Sequence, residues 1–164
     1  MGFQFDPNIT GFISGDFTSL AVVEPGGLGT SNLVLDPTKP FEIKVEWEVT
    51  GPLAPLWIAA LRTASPSWSV AAYAESVGPG PELLLKEDAV TVASAFDQLP
   101  DAWRWRHTLS VPANLLPEED PGPGGPSGVY KIVVTAFLNS VLGPVGFDIM
   151  GFTEGPVIKV EDPI

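Results

Sequence analysis

The sequence predicts an all-β protein, a two-layer antiparallel β-sandwich of seven to nine strands, and three observations lead to this fold class. Two segments alternate strictly between apolar and polar residues, which is typical of strands with one buried and one wet face. The 17 glycines and 18 prolines stand mostly between the apolar runs, where they favour turns. Apolar residues make up 45% of the chain, and cysteine is absent, so a core has to form without disulfides.

The two alternating strands cover residues 41–50 and 103–111. In the first strand the odd positions are apolar, and the even positions are Glu42, Lys44, Glu46, Glu48 and Thr50. In the second strand one face carries Trp103, Trp105, His107, Leu109 and Val111, and the other carries Arg104, Arg106, Thr108 and Ser110. Each segment is therefore predicted to be half-buried.

Further strands are predicted over residues 17–24, 32–35, 56–62, 68–77 and 129–139. A last strand over 147–152 and 157–161 is predicted to be split by a bulge at Gly155-Pro156. Residues 82–99 are ambiguous between a short helix and a strand. We assign a strand to about 89–95, because Val90, Val92 and Phe96 share one parity.

The first 16 residues are predicted to form an N-terminal arm, and residues 17–164 a single sandwich domain. Phe3, Phe5 and Phe12 make the arm too apolar for a purely solvated tail. Two interpretations remain open: the arm packs on its own domain, or it docks on a neighbouring subunit.

The stretch Gly128-Val129-Tyr130-Lys131-Ile132 resembles an element of the immunoglobulin-like and fibronectin-III-like sandwich superfold. In that superfold a Gly-x-Tyr element precedes strand F, and the tyrosine hydroxyl ties back to the preceding corner. The resemblance implies that Val45 and Ile132 stand where antibody domains carry their two cysteines. It also implies that Trp57 stands where such folds keep a core tryptophan on strand C.

The same resemblance implies that the strands at 41–49 and 104–111 are antiparallel neighbours. Their wet faces would then place Arg104 and Arg106 beside Glu46 and Glu48, and such cross-strand pairs fix register. A superfold of this kind hosts many unrelated functions, so the resemblance assigns none.

The net charge of the chain disfavours nucleic acids and membranes as partners. The chain has 8 Lys+Arg and 20 Asp+Glu, a net charge of −12, which repels phosphate backbones and anionic lipids. The run from Trp103 to Arg106 does not change this interpretation, because alternation puts its rings and its cations on opposite faces. No signal-peptide or membrane-spanning pattern is present; together with the lack of cysteine, this predicts a cytoplasmic protein.

Catalytic and metal-binding patterns are weak, and we predict no enzyme, catalytic residue or cofactor. The single histidine, His107, has core parity and is interpreted as a packed, hydrogen-bonded side chain rather than a base. Glu118, Glu119 and Asp120 offer oxygen atoms to calcium but lack the alternating pattern of a specific loop. A hydrolase built on acidic residues at one end of the sandwich is the third functional alternative.

Carbohydrate or other ligand binding is the second alternative, because the chain has five tryptophans. Trp68 and Trp103 lie near predicted strand ends, where exposed rings would be available to stack on a sugar.

Apolar residues on both faces of two strands lead to the preferred function. An isolated sandwich needs only one apolar face per strand, yet the strands at 68–77 and 129–139 have two. The second face must be covered by the arm, by residues 82–99 or by another subunit. We therefore predict a non-enzymatic interaction or self-assembly module, binding another protein or its own copy through an apolar sheet face or the arm. The candidate interface residues are Phe3, Phe5, Phe12, Tyr73, Val133 and Phe137.

Overall fold

A computed structural model of the chain describes residues 3–6, 11–25, 32–62, 66–138 and 148–162, without the side chains of 3–6, 61 and 62. The strands are β1 Phe3–Asp6, β2 Ser14–Val23, β3 Val34–Leu35, β4 Phe41–Thr50, β5 Ser67–Ser76, β6 Glu82–Thr91, β7 Asp97–Leu99, β8 Ala102–Val111, β9 Val129–Leu138 and β10 Asp148–Val160. One α-helix, α1, covers Ala54–Arg62, and a 3₁₀-helix covers Val92–Ser94.

The strands form two sheets, so the all-β prediction is confirmed. One sheet has four strands in the order β2-β4-β8-β7. The other has six, in the order β1-β10-β9-β5-β6, with β3 also paired to β10. The β3–β10 pair is parallel and the other pairs are antiparallel. The described residues contain ten strands, more than the predicted seven to nine, because β1 lies in the predicted arm and β7 is very short.

A cluster of tryptophans lies at the centre of the core and joins the two sheets. Trp47 and Trp105 come from neighbouring strands of the four-stranded sheet and stack at 6.2 Å. Trp68, from β5 of the other sheet, meets their rings edge-on at 5.8 and 5.2 Å. All three side chains are fully buried. Such aromatic pairs stabilise the core beyond their buried area.

The neighbour relation of the two alternating strands is confirmed. Strands β4 and β8 pair along their whole length, with Glu46 opposite Arg106 and Glu48 opposite Arg104. Arg104 Nε donates to Glu48 Oε2 over 2.9 Å. Strict alternation is a direct sign that one face of a strand is buried. Both strands accordingly lie within one residue of their predicted bounds.

The predicted strand at 56–62 is wrong, because these residues belong to helix α1. An apolar run of this length does not distinguish a buried strand from a helix by periodicity. The composition favours the helix: Pro55 lies in its first turn, where proline is tolerated, and leucine and alanine are good helix formers. Trp57 is therefore helical rather than on a strand, although it is buried.

The segment 82–99 is a strand over much of its length, and the strand predicted at about 89–95 is confirmed only over 89–91. Strand β6 ends at Thr91, and the 3₁₀-helix follows directly. The carbonyl of Val92 there accepts a hydrogen bond from the indole N–H of Trp105 at 3.0 Å. The 3₁₀-helix thus supplies an acceptor for the buried indole N–H of Trp105. If the strand continued, the carbonyl of Val92 would be used in strand pairing instead.

The described part of the predicted arm belongs to the chain's own fold. Strand β1 pairs antiparallel with β10, with Phe3 opposite Gly151 and Phe5 opposite Ile149. Strand β2 begins at Ser14, so the predicted boundary after residue 16 falls inside a strand. Residues 1–2 and 7–10 of the arm lie outside the described residues.

The predicted bulge in the last strand is confirmed. The pairing of β10 with β9 shifts register between Glu154 and Val157. Gly155 lies in this interval, where an added Cβ would stand 2.6 Å from Leu20 Cδ2. A larger residue would therefore push against strand β2. The predicted start of this strand at residue 147 lies outside the described residues.

A hydrogen-bonded corner formed by Tyr130 joins the loop after β8 to the start of β9. The hydroxyl of Tyr130 donates to the carbonyl of Pro117 over 2.8 Å, and the side chain is fully buried. Burial raises the pKa of this hydroxyl. The hydrogen bond implied by the Gly-x-Tyr element is therefore present.

Replacing Tyr130 by phenylalanine is expected to lower the free energy of unfolding by about 0.5–1.5 kcal/mol, because the hydrogen bond from its buried side chain to the carbonyl of Pro117 is lost. Urea unfolding of Tyr130→Phe and of the matched variant Tyr73→Phe measures this loss. Tyr73 is 38% exposed, so we expect its variant to change stability by less than about 0.5 kcal/mol. Equal losses in the two variants would contradict a structural role for the corner.

Candidate interaction face

The candidate site is the outer face of the six-stranded sheet. Because side chains alternate along each strand, β5 and β9 send every second residue away from the core. Tyr73 on β5 lies opposite Leu84 on β6 and Val133 on β9. Further along the same face, Phe137 on β9 lies opposite Met150 on β10. Apolar side chains are thus neighbours across four strands.

We call this surface the outer apolar face and define it by Tyr73, Leu84, Val133, Phe137, Met150 and Phe152. Five of the six are substantially exposed: Leu84 and Met150 at 50%, Phe152 at 40%, Tyr73 at 38% and Phe137 at 36%. Val133 is half-buried between them. Thr135, opposite Phe152, connects the two ends of the face. Contiguous exposure of this kind differs from the single apolar residues found on any protein surface.

The segments expected to cover this face do not lie across it in the described residues. Strand β6 joins the edge of the sheet, and the chain then enters the four-stranded sheet through β7. Residues 82–99 therefore do not cover the second apolar face, which was one of the three alternatives. Strand β1 likewise extends the sheet sideways, beyond β10. The exposed fractions of the apolar side chains remain high as a result.

Carboxylates border the outer apolar face. Lys131 Nζ lies 3.2 Å from Glu75 and 3.1 Å from Glu154, and these two hydrogen bonds raise the pKa of the lysine. Glu82 and Glu87 are exposed on the β6 side, where Glu87 accepts a hydrogen bond from a serine hydroxyl. Two carboxylates share one ammonium, so the border remains negative.

Of the six predicted interface residues, three come together here: Tyr73, Val133 and Phe137. Phe12 is 57% exposed but lies elsewhere, since its carbonyl accepts the backbone N–H of Leu53 next to α1. Phe3 and Phe5 lie on the edge strand β1, and their side chains are outside the described residues. Leu84, Met150 and Phe152 were missed, although Met150 and Phe152 share one parity in a predicted strand.

The expectation of exposed stacking rings is wrong for both candidates. Trp68 is fully buried and Trp103 is 7% exposed. Trp68 lies in β5, between β6 and β9, with its ring in the central cluster. Helix α1 lies against β8, and its residues Ile58 and Ala59 border the same groove as Trp103. Neither ring offers a flat face to a sugar.

His107 is packed and hydrogen-bonded, as the sequence predicts. Its Nε2 lies 2.8 Å from Asp88 Oδ2 on β6, so the pair links the two sheets. This hydrogen bond is the main reason why the pKa of Asp88 lies below its usual value. Both side chains are 28% exposed.

The acidic loop after β8 forms hydrogen bonds with its own backbone groups. Asp120 Oδ1 accepts the N–H of Gly122 at 2.9 Å, and the N–H of Asp120 donates to the carbonyl of Pro126 at 2.9 Å. Within the described residues, no group of three histidine or carboxylate side chains is arranged to hold a metal ion.

Comparisons with known proteins add no identity. No model of a known protein family matches the chain, and no curated protein sequence is similar to it. In the described part of the chain, no helix has the length and apolar character needed to cross a bilayer.

Proposed function

We propose that the chain is a non-enzymatic interaction module that binds a partner protein through the outer apolar face. The observation that carries this proposal is the contiguous exposure of Tyr73, Leu84, Phe137, Met150 and Phe152 across one sheet. Removing such a surface from water is favourable at about 25 cal/mol per Å² of apolar area. Aromatic residues and methionine are also enriched in interface cores.

We further propose that the fold is immunoglobulin-like. The order β2-β4-β8-β7 matches the A-B-E-D sheet of that superfold, and β10-β9-β5-β6 matches G-F-C-C′. Val45 and Ile132 are buried in opposite sheets, where the superfold carries its disulfide. The hydrogen bond of Tyr130 matches the tyrosine corner. The core tryptophan of strand C then corresponds to Trp68 on β5, in place of Trp57.

The partner that best fits the face is a different protein with an apolar centre and a cationic border. Two facing copies would set the acidic border with Glu75, Glu87 and Glu154 against the acidic border of the second copy, with a net charge of −12 on each chain. Like charges at an interface suppress pairing, whereas opposite charges steer it. This argument favours a heterologous complex over a face-to-face homodimer.

Phe137→Glu is expected to weaken partner binding about 30-fold or more, the effect of losing a central interface residue worth about 2 kcal/mol. Immobilised wild-type and variant chains are compared for retained proteins by quantitative mass spectrometry, and the affinity of each specifically retained protein is then measured. Leu56→Glu is the matched control, because Leu56 is 69% exposed on α1 and receives the same charge away from the face.

Light scattering after size exclusion completes the test. We expect the wild-type chain to be a monomer on its own. If the wild-type chain instead forms a homodimer that dissociates in Phe137→Glu, the partner on this face is a second copy of the chain and not a different protein. Equal loss of binding in Phe137→Glu and Leu56→Glu would contradict the use of the outer apolar face.

A further inference from the structure

A cleft of about 420 Å³ lies on the opposite side of the molecule, on the outer face of the four-stranded sheet. Its lining comes from three adjacent strands and consists of the outward-facing residues Ser19, Ala21, Lys44, Glu46, Arg106 and Thr108, together with Val45 and His107 between them. Small-molecule sites occupy about 300–1,000 Å³, so the size of the cleft suits a small ligand.

Register places the outward-facing side chains in two rows. Ser19, Glu46 and Arg106 are directly opposite one another across β2, β4 and β8. Lys44 and Thr108 belong to the next row. Lys44 and Arg106 are therefore diagonal neighbours on one face, about 7–8 Å apart between their backbones. Two cations and two hydroxyl groups surround a single carboxylate.

Arg106 differs from the other described cations. Each of the others forms an ion pair within 4.0 Å, whereas among the described side chains Arg106 has no ion pair with a carboxylate. Its guanidinium instead lies over the ring of Phe96, 4.0 Å from the centroid. This stacking fixes the plane of the group and leaves its edge available for a planar carboxylate.

Arg104 provides the contrast on the same strand. Its guanidinium is bound to Glu48 at 2.9 Å and to Asp97 at 3.1 Å, and these carboxylates raise its pKa. Lys44 is only loosely paired, with Glu42 at 3.9 Å. The cleft is therefore lined by the described cation without an ion pair to a carboxylate, Arg106, and by the lysine with the longest ion-pair distance, Lys44.

We propose that this cleft binds a small zwitterion of the amino-acid class. Its carboxylate bonds to Arg106 and Lys44, and its ammonium group bonds to Glu46. Glu46 and the net charge of −12 disfavour phosphate and other multiply charged anions. The single carboxylate between two cations matches a ligand that carries both charges. The site does not depend on the outer apolar face.

The experiment is a titration of the ¹⁵N-labelled chain with three probes: glycine, acetate and methylammonium. We expect glycine to give saturable amide shifts at residues 19–21, 44–46 and 106–108. Acetate should bind more weakly at the same amides, and methylammonium should not saturate. The absence of saturable glycine shifts at these residues would overturn the proposal.

Variants of the two arginines separate binding from bulk charge. Arg106→Gln should raise the dissociation constant for glycine about tenfold or more, because hydrogen bonds to charged groups are among the strong ones. Arg104→Gln removes the same charge two residues away and should leave the constant nearly unchanged. The dispersion of the amide spectrum shows that each variant is folded. An equal effect of the two substitutions would reduce the binding to general electrostatics and overturn the site.

The role of Glu46 is tested by Glu46→Gln. We expect this variant to bind glycine more weakly and acetate more tightly, so that the preference for the zwitterion disappears. If Glu46→Gln kept the preference, the assignment of Glu46 to the ammonium group would be wrong.

Discussion

Replacing Trp105 by alanine is expected to lower the free energy of unfolding by about 3–5 kcal/mol, the usual cost of truncating a buried tryptophan. The ring is fully buried and contacts Trp47 and Trp68, so its removal leaves a cavity between the two sheets. It also removes the hydrogen bond from the indole N–H to the carbonyl of Val92, which adds to the loss, although this carbonyl keeps the backbone N–H of Ala95 as a donor at 3.4 Å.

Urea unfolding followed by far-UV circular dichroism measures this effect, because tryptophan fluorescence would itself change with the substitution. Phe12→Ala is the control, since Phe12 is 57% exposed and its truncation is expected to cost less than about 0.5 kcal/mol. A loss below about 1 kcal/mol in Trp105→Ala would show that the tryptophan cluster does not hold the sheets together.

The sequence predicts those parts of the fold in which local pattern and burial coincide. Strands β4 and β8 each have one wet face, and their alternation shows it residue by residue. Helix α1 is apolar over most of its length, so no period distinguishes it from a buried strand. The error at α1 carried over to Trp103, because the helix assigned as a strand is the element that lies beside this ring.

The sequence likewise predicts only those residues of the candidate interaction face whose local pattern reveals their orientation. Tyr73, Val133 and Phe137 could be selected because β5 and β9 are apolar on both faces. Leu84 lies in a run of three leucines next to a register shift in the β5–β6 pairing, which obscures its parity. Met150 joins the face only through the pairing of β10 with β9. The pairing of two strands cannot be predicted from the residue pattern of a single sequence.

A glycine turn after β4 gives the second large effect. Gly51 has a φ of +118°, a conformation that L-residues rarely adopt. An added Cβ would stand 2.5 Å from the carbonyl oxygen of Phe12 and 3.0 Å from Cα of Ile13. Both obstacles are backbone atoms, so no side-chain rotation relieves the clash. The N–H of Leu53 also donates to this same carbonyl of Phe12, so a shift of the segment would disturb the start of α1.

We therefore expect Gly51→Ala to lower the free energy of unfolding by about 3 kcal/mol or more, combining backbone strain with overpacking. Gly124→Ala is the matched control: its φ is also positive, at +76°, but nothing lies within 4 Å of the added Cβ. That variant should show the strain alone, about 1–2 kcal/mol. Urea unfolding of both variants measures the difference, which isolates the steric contact between the turn and the backbone of Phe12 and Ile13. If the two variants lost equal stability, that contact would contribute nothing, and the turn would need glycine for its conformation only.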